Sequence, residues 1–175
     1  MSDTLVTIIA IGLAAVLMFV FPLMTMSDRT DDVSKLTVET ATTEFVDEIR
    51  TTGKITPDKY SKFIENIGST GNTYDVEMEV KVKDENPGKK TTQTAKDKIG
   101  ENVYYSVYTS QIVDQLNSDK DYKLKEGDIV SVDVKNTNQT LSQQLKNFFY
   151  SVTGNDTYTV AAEHAGIVTA NGTGK

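Results

Sequence analysis

The sequence predicts an α+β fold, in which a long N-terminal transmembrane-plus-amphipathic helix joins a small, mostly antiparallel sheet and short helices. Three observations lead to this fold class. An uncharged apolar run covers Leu5–Met26, apolar side chains recur at helical spacing between Asp28 and Gly53, and apolar and polar side chains alternate in Thr73–Lys83 and again in Asp128–Lys135. Amphipathic helices and half-buried strands produce these two periodicities.

The same boundaries divide the chain into three parts. They are a transmembrane anchor at 1–27, an amphipathic rod helix at 28–53 and an extracellular α+β head at 54–175. The part that follows the apolar run is long enough for one domain with a modest core.

The apolar run is predicted to cross a membrane. A helix needs about 20 residues at ~1.5 Å each to span a hydrocarbon core of roughly 30 Å. A cleaved secretory signal is the main alternative, but its apolar core is usually about 7–15 residues and follows a basic segment. Residues 1–4 contain no Lys or Arg. A buried helix of a soluble protein is the third alternative. Pro22 indicates either a kink or the point where the helix leaves the lipid.

Two groups of residues on this helix are predicted to pack against other helices. Gly12, Ala14 and Ala15 are small and would permit close approach of a second helix, although such residues are also common in membrane helices without that role. In the rod, apolar residues at spacings of three, four and five are predicted to share one face. The predicted helix-packing residues are Gly12, Ala14, Ala15, Val33, Leu36, Ala41, Phe45 and Ile49.

Gly53 is the predicted end of the rod. If the rod continues from the apolar run without interruption, the two form one helix of about 70 Å. A break at 27–30 would instead give two helices.

The head is predicted to contain short helices and three strands. Thr56 precedes Pro57, which is a strong helix-start signal, and Gly68 ends that helix. Residues 84–101 are polar and predict an exposed loop. The remaining predictions are a helix at 103–116 whose first half is alternatively a strand, a helix at 141–152 capped by Thr140, and one or two strands at 156–169.

Composition excludes several classes of function. The formal net charge of −7 argues against nucleic-acid binding, which needs a basic face. There is no cysteine and one histidine, His164, whose neighbour Glu163 would point to the opposite face of a strand. Neither a metal site nor a cofactor site is predicted, and the chain is expected not to be an enzyme.

Topology is predicted from charge and composition. The run is followed by SDRTDDVSK, and the head is rich in Thr, Asn and Asp. The Lys and Arg count on either side is low, which makes the positive-inside signal weak. We expect a single-pass protein of the cell membrane with a cytoplasmic N-terminus and the C-terminal domain outside the cell.

Four stretches of the sequence resemble one family. They are FVDEIRTTGKITPDKYSKFIENI at 45–67, YDVEMEV at 74–80, GDIVSVDV at 127–134 and AAEHAGIV at 161–168. With the layout of anchor, rod and small β-rich head, they resemble type IV pilin-like proteins, and more narrowly the TadE-like pilus-associated proteins of Gram-positive bacteria.

The resemblance implies a structural or assembly subunit of a Tad-type or conjugation-type surface apparatus that works by helix packing. Its implied partners are the membrane, other pilin-like or assembly proteins, and further copies of itself. The start MSDTLVTI lacks the basic leader of a classical prepilin, so a membrane-retained subunit is the expected form. The alternative is a membrane-anchored extracellular binding module, an adhesin or a sensor, whose head would fold without the rod.

Overall fold

The computed structural model describes residues 2–84, 104–150 and 161–172. Apart from Asp84, the predicted loop at 84–101 lies outside these residues, as does the first part of the predicted strand at 156–169. Within them the protein is α+β, with a long N-terminal helix, a small antiparallel sheet and short helices.

The first helix, α1, is continuous from Ser2 to Thr52. Its 51 residues give a length of about 77 Å, and Pro22 lies inside it. The uninterrupted rod is therefore confirmed, and the alternative break at 27–30 is absent from α1. The helix ends where expected, at Gly53, which adopts φ of 66°. A Cβ at this position would lie 2.4 Å from the Ala170 carbonyl oxygen, so both the left-handed φ and the close approach favour glycine.

After α1 the described elements are short helices and strands. They are β1 (Lys54–Ile55), α2 (Pro57–Gly68), β2 (Tyr74–Lys83), β3 (Tyr104–Tyr108), α3 (Thr109–Asn117), β4 (Tyr122–Lys123), β5 (Ile129–Asn136), α4 (Leu141–Tyr150) and β6 (Ala161–Ile167).

The strands form two antiparallel sheets. The main sheet has the order β3-β2-β5-β6, and β1 pairs with β4 in a separate two-stranded sheet. In the main sheet the register places Met78 beside Val132, and Val80 beside both Val130 and Val107. Apolar residues of neighbouring strands therefore share one face, on which α1 packs against β5 and β6 while α3 packs against β2 and β3.

The strand count differs from the prediction. Residues 104–108, YYSVY, form the strand β3 before the helix α3 begins at Thr109, so the alternative reading of the first half of 103–116 is confirmed. Aromatic and β-branched residues favour a strand over a helix, and pairing with β2 stabilises the strand here. Among the described residues the main sheet therefore has four strands. The pair β1–β4, with two residues in each strand, was too short to produce a periodic signal.

The helix starts predicted from Thr56 and Thr140 are confirmed. The Thr56 side chain accepts a hydrogen bond from the Lys59 backbone N–H at the start of α2. At the start of α4, Thr140 Oγ1 accepts from the Gln143 N–H at 3.2 Å, while Gln143 Oε1 accepts from the Thr140 N–H at 3.0 Å. The second arrangement is a reciprocal capping box.

The C-terminal half of α1 belongs to the hydrophobic core of the head. Buried residues of α1 pack with residues from β2, β5, β6 and the two flanking helices α2 and α3. The core comprises Val38, Ala41, Phe45, Val46, Ile49, Ile55, Phe63, Ile67, Met78, Val80, Ile112, Leu116, Leu124, Val130, Val132, Val134, Ala162 and Val168.

The predicted apolar face of the rod is wrong for two residues. Val33 and Leu36 are 59% and 64% exposed, whereas Ala41, Phe45 and Ile49 are buried. At about 100° per residue, the five-residue step from Leu36 to Ala41 turns the helix by about 140°. Because of the spacing of five, Leu36 and Ala41 lie on different faces of the helix, whereas the sequence pattern had predicted one face for both.

Candidate assembly surface on the long helix

The N-terminal half of α1 is apolar and has no cover within the described chain. The segment is long and apolar enough to cross a membrane, and none of its apolar window is buried. Large apolar side chains stand exposed along its whole length. They include Leu5, Val6, Ile8, Ile9, Ile11, Leu13, Val16, Leu17, Met18, Phe19, Phe21, Leu23 and Met26.

Two threonines in this half satisfy their hydroxyl groups within the helix. Thr7 Oγ1 donates to the Asp3 carbonyl oxygen at 2.7 Å, and Thr25 Oγ1 donates to the Phe21 carbonyl oxygen at 3.0 Å. Back-bonding of this kind leaves the threonine methyl group outward and lowers the cost of placing the residue in an apolar environment. The polar residues of the run are thus compatible with a lipid surrounding.

The small residues lie open on the surface of α1. A Cβ added to Gly12 would meet nothing within 4 Å, and Ala14 and Ala15 are exposed. At about 100° per residue, Gly12 and Ala15 are about 60° apart, while Ala14 lies about 100° from Ala15. A second helix that contacts Ala15 can therefore also reach Gly12 more readily than Ala14.

Val33 lies on the same side of the helix as Ala15. The two are 18 residues apart, which is five full turns of about 3.6 residues. Leu36 is within about 60° of this line. We call this side of α1 the outer strip, and it comprises Gly12, Ala15, Met26, Val33, Leu36, Thr37 and Thr40.

The sequence did not indicate the two threonines of the outer strip, because a pattern of apolar spacing does not select polar residues. Thr37 Oγ1 donates to the Val33 carbonyl oxygen at 2.9 Å, so its hydroxyl group is bonded within the helix. Between Arg29 and Glu44 no charged residue lies on this side of α1. From Val33 to Thr40 the outer strip is therefore weakly polar, beyond the apolar half of α1.

The other three predicted packing residues contact the head of their own chain. The Phe45 ring stacks on the Phe63 ring with centroids 4.4 Å apart, and Ile49 is fully buried. Ala41 is buried at the margin of the same core. Lys59 Nζ, 2.8 Å from Glu48 Oε1, adds an ion pair between α2 and α1. Packing within the chain occupies all three residues.

His164 lies on β6 beneath α1. Its Nε2 is 3.7 Å from Asp47 Oδ1, and the same carboxylate oxygen accepts a 2.7 Å hydrogen bond from Arg50. Glu163 is exposed and its register partner is Asp133. Because successive side chains of a strand alternate, His164 and Glu163 lie on opposite faces of the sheet. Among the described residues there is no group of three or more His, Cys, Asp or Glu arranged to hold a metal ion.

An open cleft of about 920 Å³ lies between the C-terminal end of β2, the end of α3 and β4. Two tyrosines line it, and desolvation, followed by the nearby Tyr105 and Asp128, raises the pKa of Tyr122 to about 12. Asp128 has a structural role, because its carboxylate accepts hydrogen bonds from the backbone N–H groups of Lys83 and Lys125. The cleft is a concave, mixed-charge surface.

No protein-family model, no curated protein and no solved structure matches the chain. The function is therefore inferred from the structure of the chain itself. One half of α1 is exposed and apolar, and the outer strip continues beyond that half. The head is built around the other side of the same helix.

Proposed function

We propose that the protein is a single-pass, membrane-anchored, pilin-like structural subunit of a surface apparatus of the Tad or conjugation type, with its head outside the cell. It acts by lateral packing of α1 against other helices, from further copies or from other pilin-like or assembly proteins. It performs no chemistry in this role.

The observation that supports this proposal best is the division of α1 into two opposite sides. Phe45 and Ile49 lie about 120–160° around the helix from Val33 and are buried in the head. Val33 and Leu36 remain exposed on the opposite side, in line with the small residues of the apolar half. One side of the helix thus holds the head, and the outer strip is left for a neighbour.

The test changes the outer strip without disturbing the core. We expect Val33→Asp combined with Leu36→Asp to remove the chain from its complexes, because two charges would be buried without partners in the packed state. Complexes are measured by cross-linking and native electrophoresis of membranes from cells that have the native gene. Membrane retention of the variant should be unchanged.

Ile167→Asp is the matched control, since Ile167 is also a large exposed apolar residue, at 56% exposure, but lies on the sheet. It should leave the complexes intact. Wild-type levels of complex in the double variant would exclude the outer strip as an interface.

The alternative function is a membrane-anchored binding module, an adhesin or a sensor. The cleft beside Tyr105 and Tyr122 is the observation in its favour, because it is concave and presents both tyrosines and lysines. A module of this kind would keep its binding activity as a head cut from the rod. Loss of a folded head on removal of α1 argues against it.

A further inference from the structure

The helix α4 is attached to α1 directly after the apolar run. The Thr140 hydroxyl donates a 2.6 Å hydrogen bond to Asp31 Oδ2, and the Ser142 hydroxyl donates to Asp28 Oδ1. Lys146 Nζ lies 2.5 Å from the same Asp28 oxygen. Residues three apart on a helix are neighbours on its surface, so the two carboxylates form one attachment point. The described side chains of α4 that face α1 are held there by hydrogen bonds and an ion pair.

Along the axis of α1, the attachment point lies close to the end of the apolar run. Asp28 and Asp31 follow Met26 by two and five residues, which is about 3 and 8 Å along the helix axis. A bilayer core of about 30 Å grows to about 40–45 Å with its polar layers, so each headgroup layer is about 5–8 Å thick. With the apolar run in the hydrocarbon core, the start of α4 falls within the headgroup layer.

The composition of α4 suits such a location. Leu141, at its start, is 53% exposed, and sequence spacing of i, i+4 and i+7 repeats an apolar residue at Leu145 and Phe148. The helix has no acidic residue, and its only charged residue is Lys146. Helices that lie in a membrane interface combine an apolar face with a polar or basic one.

We infer that α4 is an interfacial helix, and that the face with Leu141 binds the lipid headgroup layer of the membrane that α1 crosses. The inference rests on the proposed membrane anchor. Asp28 and Asp31 set the depth at which α4 enters the layer. The head is then attached to the bilayer at two places, through α1 and through α4, which restricts its tilt relative to the membrane.

The test uses the absence of cysteine from the sequence, since a single introduced cysteine can take a nitroxide label. Leu141→Cys reports on α4, Leu13→Cys on the apolar run and Glu65→Cys on the solvent side of α2. Each full-length variant is placed in vesicles of phosphatidylethanolamine and phosphatidylglycerol. Collision of the label with oxygen, which concentrates in lipid, is compared with collision with a water-soluble nickel chelate.

We expect the oxygen-to-nickel ratio at position 141 to be several-fold higher than at position 65 and lower than at position 13. If position 13 lies in lipid while position 141 matches position 65, α4 is in water and the inference fails with the anchor intact. Low collision with both reagents at position 141 would mean that protein covers this face, which also overturns it. Nickel access at position 13 would overturn the anchor, and the inference with it.

Discussion

Phe45 stabilises the head although it lies on the long helix. Its ring is 4% exposed, and it stacks on Phe63 at an interplanar angle of 3°. Truncation of a buried Phe to Ala usually costs about 3–5 kcal/mol, since apolar contact is lost and a cavity remains. We expect Phe45→Ala to lower the free energy of unfolding by this amount, as measured by urea denaturation of residues 28–175.

Leu36→Ala is the matched control for Phe45→Ala. Leu36 is also on α1 but is 64% exposed, and substitutions at exposed sites usually change stability by less than about 0.5 kcal/mol. A loss at Leu36 as large as that at Phe45 would contradict the separation of α1 into a buried side and an outer strip.

Asp28 makes the attachment of α4 dependent on pH. The hydrogen bond with Lys146, followed by that with Ser142, lowers the pKa of the Asp28 carboxyl group. A carboxylate whose folded pKa is lowered contributes stability above its unfolded pKa of about 3.9, and the contribution is lost as pH falls through the folded value. The Asp28 side chain is 41% exposed, so solvent screening keeps the effect modest.

We therefore expect Asp28→Asn to unfold at a lower temperature than wild type at pH 7, with the two midpoints converging below about pH 4. Circular dichroism of the full-length protein in detergent micelles across this range measures the midpoints. Asp32→Asn removes the same charge from an exposed residue that makes none of the contacts described for α4, and it should change little. A difference between Asp28→Asn and wild type that is constant with pH would exclude the ionic contribution.

At the scale of elements, α1 carries both an exposed apolar half and a part of the core of the head. Val38, Phe45, Val46 and Ile49 from this helix belong to the core that it forms with β5 and β6 of the main sheet. Without them the strands β5 and β6 would expose their apolar face to water. The head therefore begins, as a folding unit, within the rod and not at residue 54.

Removing α1 should consequently destabilise the head. We expect the fragment 56–175 to unfold at a much lower temperature than the fragment 28–175, or to be unfolded at 25 °C, because the sheet loses its cover. Differential scanning calorimetry of the two fragments compares the midpoints. Equal midpoints would show that the head folds alone, and they would favour the binding-module alternative over a subunit built on its rod.

The sequence predicted those elements whose signal is local. The N-caps at Thr56 and Thr140, the stop at Gly53 and the alternation in β2 depend on neighbours in the chain, and the structure confirms each of them. The buried face of α1 was harder to predict from the sequence, because it includes the polar residue Thr42. Its hydroxyl group donates to the Val38 carbonyl oxygen at 2.7 Å, which a hydropathy pattern does not reveal.

The candidate surface was predictable only in part. Gly12, Ala15, Val33 and Leu36 were selected from the sequence and lie exposed on one side of α1. Which apolar residues of the rod would face the head depended on the sheet that covers them, and the pairing of distant strands is not encoded in local spacing. The contact between α4 and Asp28 joins residues 114 apart and had no local signal.

At the scale of the whole molecule, Met26 divides α1 between two environments. The residues before it are exposed and apolar, and those after it enter the head within a few turns. A continuous helix couples the two mechanically, since the described backbone has no break between the apolar half of α1 and the head. With the proposed anchor in a membrane, force or displacement in the apolar half would therefore reach the core of the head directly, as the proposed structural subunit requires.

The orientation of this rod is the assumption shared by every functional proposal, and labelling can test it. Glu65 is exposed on α2 in the head, and Asp3 lies at the other end of α1. We expect a membrane-impermeant maleimide to label Glu65→Cys in intact cells, whereas Asp3→Cys should be labelled only after lysis. Because wild type contains no cysteine, it gives the background. The reverse pattern would place the head in the cytoplasm, where it could not contribute to a surface apparatus, and the proposed function would have to be abandoned.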